Sequence, residues 1–192
     1  MKPWVGAKSP VRRKALLINL TFKNDHLMTS ILIRHALIKD LPTIVKIYNA
    51  AIPGRQATGD LEPITAESRI TWFKQHSPTS YPIWVAQKEN QVVGWLSLQR
   101  FYGREAYAKT AEVSVYIAPN NQGNGIGKQL VQHMLESCST LNITTLICFI
   151  FAHNLPSLYL FKTFGFESWG YLPQVALMDE NHRDLVILGR KI

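Results

Sequence analysis

Three glycines alternate in Gln122-Gly123-Asn124-Gly125-Ile126-Gly127-Lys128, between the apolar run Val113-Ser114-Val115-Tyr116-Ile117 and a stretch with helical spacing. A glycine-rich turn from a strand into a helix exposes backbone N–H groups without intrahelical partners, at the end where the helix dipole is positive. Without a Cβ, the backbone can approach an anion closely. The amides from Gly123 to Lys128 therefore form a candidate cradle for a diphosphate, although such a loop also serves as a plain structural turn. Its spacing differs from the dinucleotide-binding pattern G-x-G-x-x-G, and no acidic residue closes a second parallel strand about 20 residues on. A Walker loop is excluded because Lys128 is followed by Gln129.

Other side chains able to do chemistry lie close in sequence. Glu112 starts the strand that leads into the glycine loop. A carboxylate there can act as a general base if partial burial raises its pKa, or it can be an ordinary ion-paired strand residue. Upstream, Tyr102-Gly103-Arg104-Glu105-Ala106-Tyr107 offers two phenols and a guanidinium. An arginine fork suits a carboxylate or phosphinate oxyanion because it can bind through two N–H groups at once. Asn154 stands where it can cap a helix. The six histidines show no metal-ligand spacing, so no metal is expected.

The elements that must position these groups can be read from periodicity. Ile31–His35 is a short apolar strand. Asp40 is placed to cap a helix through Ile52, with Leu41, Ile44, Val45, Tyr48 and Ile52 on one face and Pro53-Gly54 ending it. Thr65 is placed to cap a second helix, Ala66 to Gln75. Ile83–Ala86 and Val92–Phe101 read as a hairpin across the polar turn Glu89-Asn90-Gln91, and Ala111–Ala118 as the next strand. The glycine loop opens a helix whose inward face is Ile126, Leu130, Val131, Met134, Leu135 and Cys138. Thr144–Phe151 is the most apolar strand, fitting a position buried on both faces. A helix from Asn154 to Phe164 and two strands, near Glu167–Tyr171 and Leu185–Gly189, complete the chain. This order predicts an α/β (α+β) fold with a mixed, mostly antiparallel sheet.

The 192-residue chain can bury one substantial core, and its 46% hydrophobic and 18% charged composition reads as globular. Of the formal charge of +8, residues 1–28 carry +5, from six basic side chains and Asp25. Residues 29–192 keep only +3, which argues against a broad nucleic-acid face. Residues 1–28 read as a basic N-terminal extension and 29–192 as one domain. Arg12-Arg13-Lys14 before Ala15–Leu20 only superficially resembles a secretory leader, because the apolar part is short and interrupted by Asn19. No apolar run approaches the roughly 20 residues of a membrane-spanning helix. Cys138 and Cys148 read as buried thiols of a cytoplasmic protein.

Gln122-x-x-Gly125-x-Gly127 after the strand Val113–Ile117 resembles motif A of the GNAT N-acetyltransferase superfamily. Asn154-x-x-Ser157 with Phe164-Gly165-Phe166 resembles its motif B. More narrowly, Ile47-Tyr48-Asn49, Leu61–Thr65, Trp72-Phe73, Phe101–Tyr107, Thr110–Tyr116 and Asp184–Lys191 are similar to the phosphinothricin and methionine-sulfoximine N-acetyltransferases. The likeness runs from Ile31 to the end.

The resemblance implies the GNAT fold, with helices on both faces of the sheet, and acetyl-CoA as co-substrate. It makes Glu112 the catalytic base. It assigns the cofactor to Gln122, Gly123, Asn124, Gly125, Ile126, Gly127 and Lys128, to Asn154, and to the backbone of Val115, Tyr116 and Ile117 paired with the pantetheine arm. The acceptor, a small amine such as phosphinothricin or methionine sulfoximine, falls to Tyr102, Gly103, Arg104, Tyr107, Glu112, Val113 and Ser114. A protein N-terminus or a polyamine is an alternative acceptor, and a non-catalytic acetyl-CoA-binding module is an alternative class. Neither nucleic acid nor membrane is an expected partner, and a homodimer is compatible with the sequence. Two positions depart from the family: Phe161 stands where many members carry a tyrosine that protonates the leaving thiolate, and Ala108-Lys109 stands where an arginine is common.

Overall fold

The computed structural model describes residues 30–192, so the N-terminal extension falls outside the described residues. Seven strands form one sheet: β1 (Leu32–His35), β2 (Ile83–Lys88), β3 (Gln91–Arg100), β4 (Thr110–Ile117), β5 (Thr145–Phe151), β6 (Glu167–Met178) and β7 (Asn181–Lys191). Their order is β1-β2-β3-β4-β5-β7-β6, and only β4 and β5 run parallel. The mixed, mostly antiparallel sheet expected from the element order is therefore present. Among the described residues four α-helices accompany it: α1 (Leu41–Asn49), α2 (Ile70–Lys74), α3 (Ile126–Ser137) and α4 (Leu155–Thr163). No helix among the described residues is long and apolar enough to cross a membrane.

Strand alternation splits the core between the two faces of the sheet. On one face Leu96, Leu98, Ala111 and Val113 meet Ile126, Leu130, Val131 and Met134 of α3 and Phe161 of α4. On the other, Val85 and Trp95 meet Ile44 and Ile47 of α1, with Trp72 and Phe73 of α2 packed against them. The α3 face follows its 3.6-residue repeat, with Leu135 only partly buried.

Several elements depart from the sequence expectation. Asp40 does not cap α1 through its side chain. Its backbone is already helical, and its carboxylate pairs with Arg34 (2.7 Å) and accepts from the Leu37 N–H (2.8 Å). The first helix ends at Asn49, short of Ile52, which belongs to a separate 3₁₀ turn. The second begins as a 3₁₀ turn, Glu67–Arg69, with Thr65 Oγ1 accepting from the Ser68 N–H (3.2 Å). β5 is internal, yet Phe149 is 39% exposed because β4 diverges from it. The last hairpin is much longer than expected: β6 and β7 have 12 and 11 residues and join at Asp179-Glu180, both at positive φ. A register shift between Leu172 and Ala176, with Gln174 at φ 53°, breaks the alternation that would have marked β6 as one strand.

Candidate active site

The centre of the site is a splay in the sheet. β4 pairs with β5 only from Thr110↔Thr145 to Glu112↔Ile147, whereas β3 stays paired with β4 as far as Ile117. From Val113 onward, the β4 edge facing β5 carries no ladder. Backbone groups left unpaired in this way form a template for another extended chain. The slot between the two strands has a volume of about 210 Å³. Its lining includes Glu112, Val113, Ser114, Val115, Phe149 and Phe161.

The slot leads toward a groove of about 420 Å³ over the N-terminus of α3. Val115, Tyr116, Ile117, Gln122, Gly123, Gly125, Ile126, Gly127, Lys128 and Asn154 all line this groove, while Asn124 does not. Gly123 and Gly125 lie at φ 76° and 75°, in the left-handed region that strains any residue with a Cβ. Gln122 Nε2 donates to the Ile117 carbonyl (3.2 Å), folding the loop back onto the end of β4. Gly125 is the N-cap of α3, and its carbonyl accepts from the Gln129 N–H (3.1 Å). The first-turn amides after it have no partner within the helix and, with Lys128 also lining the groove, offer a site for an anion. A diphosphate and an extended thiol arm fit this combination of free amides, an unpaired strand edge and a continuous groove.

A strap closes the opposite side. The carbonyls of three successive residues are each held by a side chain: Arg55 by His153 Nε2 (2.8 Å), Gln56 by Asn154 Nδ2 (3.0 Å) and Ala57 by the Tyr116 hydroxyl (2.9 Å). Donation from His153 requires its proton on Nε2. Asn154, only 6% exposed, also accepts from the Ser157 N–H (3.2 Å) as the N-cap of α4. Its amide thus has one hydrogen and one lone pair left, enough for a further contact.

On the other face of β4, Glu112, Ser114 and Tyr116 stand opposite Gln99, Ser97 and Trp95 of β3. Burial raises the Glu112 pKa above the ordinary glutamate value, and a hydrogen bond from Gln99 opposes that rise. This floor belongs to a small pocket of about 150 Å³ walled by Ile44, Val45, Tyr48, Ile64, Arg69 and Trp72. Trp95 stacks on Tyr116 (4.7 Å) and its Nε1 donates to the Ile44 carbonyl (3.1 Å), while Tyr48 and Trp72 meet these rings edge-on. Burial raises the pKa of both Tyr48 and Tyr116. Ser114 and Tyr116 line both this pocket and the slot, so the two meet beside Glu112.

The remaining sequence candidates lie elsewhere. Tyr102 (76% exposed), Gly103, Arg104 and Tyr107 form the β3–β4 connection and line none of the three cavities. The rings of Phe101, Tyr102 and Tyr107 pack on one another 5.3–5.8 Å apart, and Arg100 pairs with Glu105 (2.7 Å). Phe161 is buried against Phe166 (5.0 Å) and offers no proton, and Tyr159 is exposed at the rim of the groove. Sequence reasoning missed Arg69, Trp72, Trp95, Ser97 and Gln99 as site residues. Alternation along β3 could have flagged Ser97 and Gln99 as polar side chains on the face shared with Trp95. A depression of about 900 Å³ between α3 and the β6–β7 end shares no lining residue with the slot, the groove or the pocket.

Comparison with known proteins assigns this architecture. Residues 43–166 match the model of the acetyltransferase (GNAT) family. The chain belongs to that family and is an N-acetyltransferase, of a class that takes its acetyl group from acetyl-CoA. It is 48% identical over 155 residues to the Bacillus subtilis protein named "Putative phosphinothricin acetyltransferase YwnH", covering 80% of this chain and 94% of that one. It is 33% identical over 145 residues to the L-methionine sulfoximine/L-methionine sulfone acetyltransferase of Pseudomonas paraeruginosa, covering 75% and 84%. Among solved structures, the phosphinothricin acetyltransferase of Sinorhizobium meliloti in complex with acetyl-CoA superimposes with a TM-score of 0.80 at 28% identity, covering 86% and 89%.

Proposed function

We propose that this chain acetylates the α-amino group of a small amino-acid-like acceptor of the methionine sulfoximine or phosphinothricin type. The observation that carries the reading is the meeting of slot and pocket at Glu112. There a half-buried carboxylate with a raised pKa stands where an acceptor amine and a thioester would come together. The relatives named for methionine sulfoximine and phosphinothricin support the acceptor class.

Bound acetyl-CoA supplies the thioester carbonyl. The amides of Gly123 to Lys128 hold the pyrophosphate, and the unpaired edge Val115–Ile117 orients the pantetheine arm alongside Asn154. Glu112 takes the proton that the acceptor ammonium must lose before its nitrogen can attack, either directly or through one water. A carboxylate with a raised pKa is the stronger base once ionised. Phe161 cannot return a proton to the departing sulfur, so that proton comes from solvent or from another donor. The 150 Å³ pocket admits a compact acceptor and excludes a folded protein terminus.

An acetyl-transfer screen tests this reading. It would compare kcat/KM for methionine sulfoximine, phosphinothricin, methionine sulfone and common amino acids with spermidine and a short peptide. The expected outcome is highest efficiency on a free amino acid or its sulfoximine or phosphinate analogue. Greater efficiency on spermidine or the peptide would overturn the acceptor class.

A further inference from the structure

We infer that Thr58 is a positioning residue whose buried hydroxyl joins the aromatic pocket to the strap beside the slot, so that acceptor and acetyl-CoA strengthen each other's binding. It rests on the acetyl-transfer reading above for the ligands that fill pocket and slot.

Thr58 continues the strap one residue beyond Ala57 and lines the slot. At 6% exposed, it must satisfy its hydroxyl within the protein. Its Oγ1 accepts from the Asp60 N–H (3.2 Å) and is hydrogen-bonded to the Tyr48 hydroxyl. The Tyr48 hydrogen is already committed, because that hydroxyl donates to Asp60 Oδ2 (2.6 Å). The Tyr116 hydroxyl likewise donates to the Ala57 carbonyl (2.9 Å). Each hydroxyl has one hydrogen, so the Thr58 hydrogen is the one free to bridge, and a phenol oxygen receives it. Burial raises the pKa of both tyrosines, and a hydrogen bond from Thr58 opposes the rise in each. A valine here would keep the shape, remove that donor and leave the Asp60 N–H without its acceptor.

The two phenols serve different parts of the site. Tyr48 walls the pocket, and its ring meets Tyr116 edge-on (5.1 Å). Among the described residues Tyr116 alone lines pocket, slot and groove. On the cofactor side, Gln56 and Ala57 line both slot and groove, and Asn154 holds the Gln56 carbonyl. Thr58 is therefore where the strap passes from cofactor-side groups to pocket-side groups. An acceptor packed against Tyr48 and Tyr116 restrains their rings, and through Thr58 and Ala57 it restrains the strap. Acetyl-CoA lying along the strap restrains the same residues from the other side. Whichever ligand binds first orders the strap, and the second meets a smaller ordering cost. By linkage the effect is equal in both directions.

Calorimetry tests this by measuring CoA affinity with and without saturating methionine sulfone, and methionine sulfone affinity with and without CoA. With CoA in place of acetyl-CoA, binding is read apart from chemistry. The coupling factor is the ratio of the two CoA dissociation constants. Any loss of CoA affinity common to both states cancels in that ratio, so a merely structural role would not move it. Wild type should show a factor of about 5 or more, the same in both directions. Thr58→Val should bring it to within about 2-fold of one, whereas Thr58→Ser, which keeps the hydroxyl, should stay near wild type. Tyr48→Phe breaks the link from the pocket side and should fall as Thr58→Val does, which keeps the inference testable if the valine variant does not fold. A wild-type factor near one, or no binding of methionine sulfone in the presence of CoA, would overturn the inference. So would an undiminished factor in Thr58→Val or Tyr48→Phe, or a serine variant as low as the valine one. Thr58-dependent coupling with no turnover of methionine sulfone by acetyl-CoA would sink the acetyl-transfer reading and leave the coupling standing.

Discussion

Asn154 allows a stability and a function argument to be made on one side chain. Its Oδ1 caps α4 through the Ser157 N–H, and its Nδ2 ties down the Gln56 carbonyl of the strap. Replacement by alanine removes both. Loss of an N-cap costs about 1 kcal/mol. Loss of the tether adds about 1 kcal/mol, at the lower end for a broken hydrogen bond because Gln56 is exposed and its carbonyl can regain water. The expected total for Asn154→Ala is about 2 kcal/mol, or about 4–8 °C in Tm for a domain of this size. Asn154→Asp separates the two roles. It keeps the cap, gains about 0.3–1 kcal/mol from a negative charge at the helix N-terminus, and loses only the tether. Its expected cost is therefore about 1 kcal/mol or less, with the KM for acetyl-CoA raised because the strap borders the slot and groove. Urea unfolding monitored by circular dichroism measures the first quantity and steady-state kinetics the second. A cost below about 0.5 kcal/mol for Asn154→Ala, or an aspartate variant as unstable as the alanine one, would refute this division of labour.

Four further outcomes are expected. Glu112→Gln keeps the shape and removes the base, so kcat should fall about 10²–10⁴-fold with acetyl-CoA affinity spared, and full activity across pH 6–9 would show that another group takes the proton. Because the folded state raises the Glu112 pKa, the native protein binds the proton more tightly than the unfolded chain, and stability is lost as pH rises from the unfolded toward the folded value. Glu112→Gln should therefore be more stable than wild type at neutral pH and no more stable at acid pH, a difference that thermal melts at pH 4 and 7.5 would expose. Gly125→Val meets no clash, since no atom lies within 4 Å of the added Cβ, but φ 75° strains it by about 1–2 kcal/mol or more and its methyls crowd the anion site. Calorimetry should show severe loss of acetyl-CoA binding, and near-normal affinity would remove the pyrophosphate from this loop. Burial raises the Cys138 thiol to about 11 and the Cys148 thiol further still, so neither should react with a thiol reagent in the native protein and both should react in urea.

What the sequence determined by itself was local. Period and turn chemistry placed the buried face of α3, the glycine loop at its head and the Asn154 cap, because each depends on neighbours within a few residues. The alternation of Glu112, Ser114 and Tyr116 put these three on one face of a strand, and the motif spacing carried the family. The tertiary structure decided everything that depends on where distant segments meet. The divergence of β4 from β5 after Glu112 has no sequence signature, because it is a relation between two backbones 35 residues apart in register. The strap from Arg55 to Ala57 is held by side chains 59 and 98 residues away. Arg69 reads in sequence as one more polar residue in a short helix. Among the described residues it becomes the lone cation of an aromatic pocket only when α1, α2, β3 and β4 close around it, since burial and charge isolation belong to the packed assembly and not to any one segment.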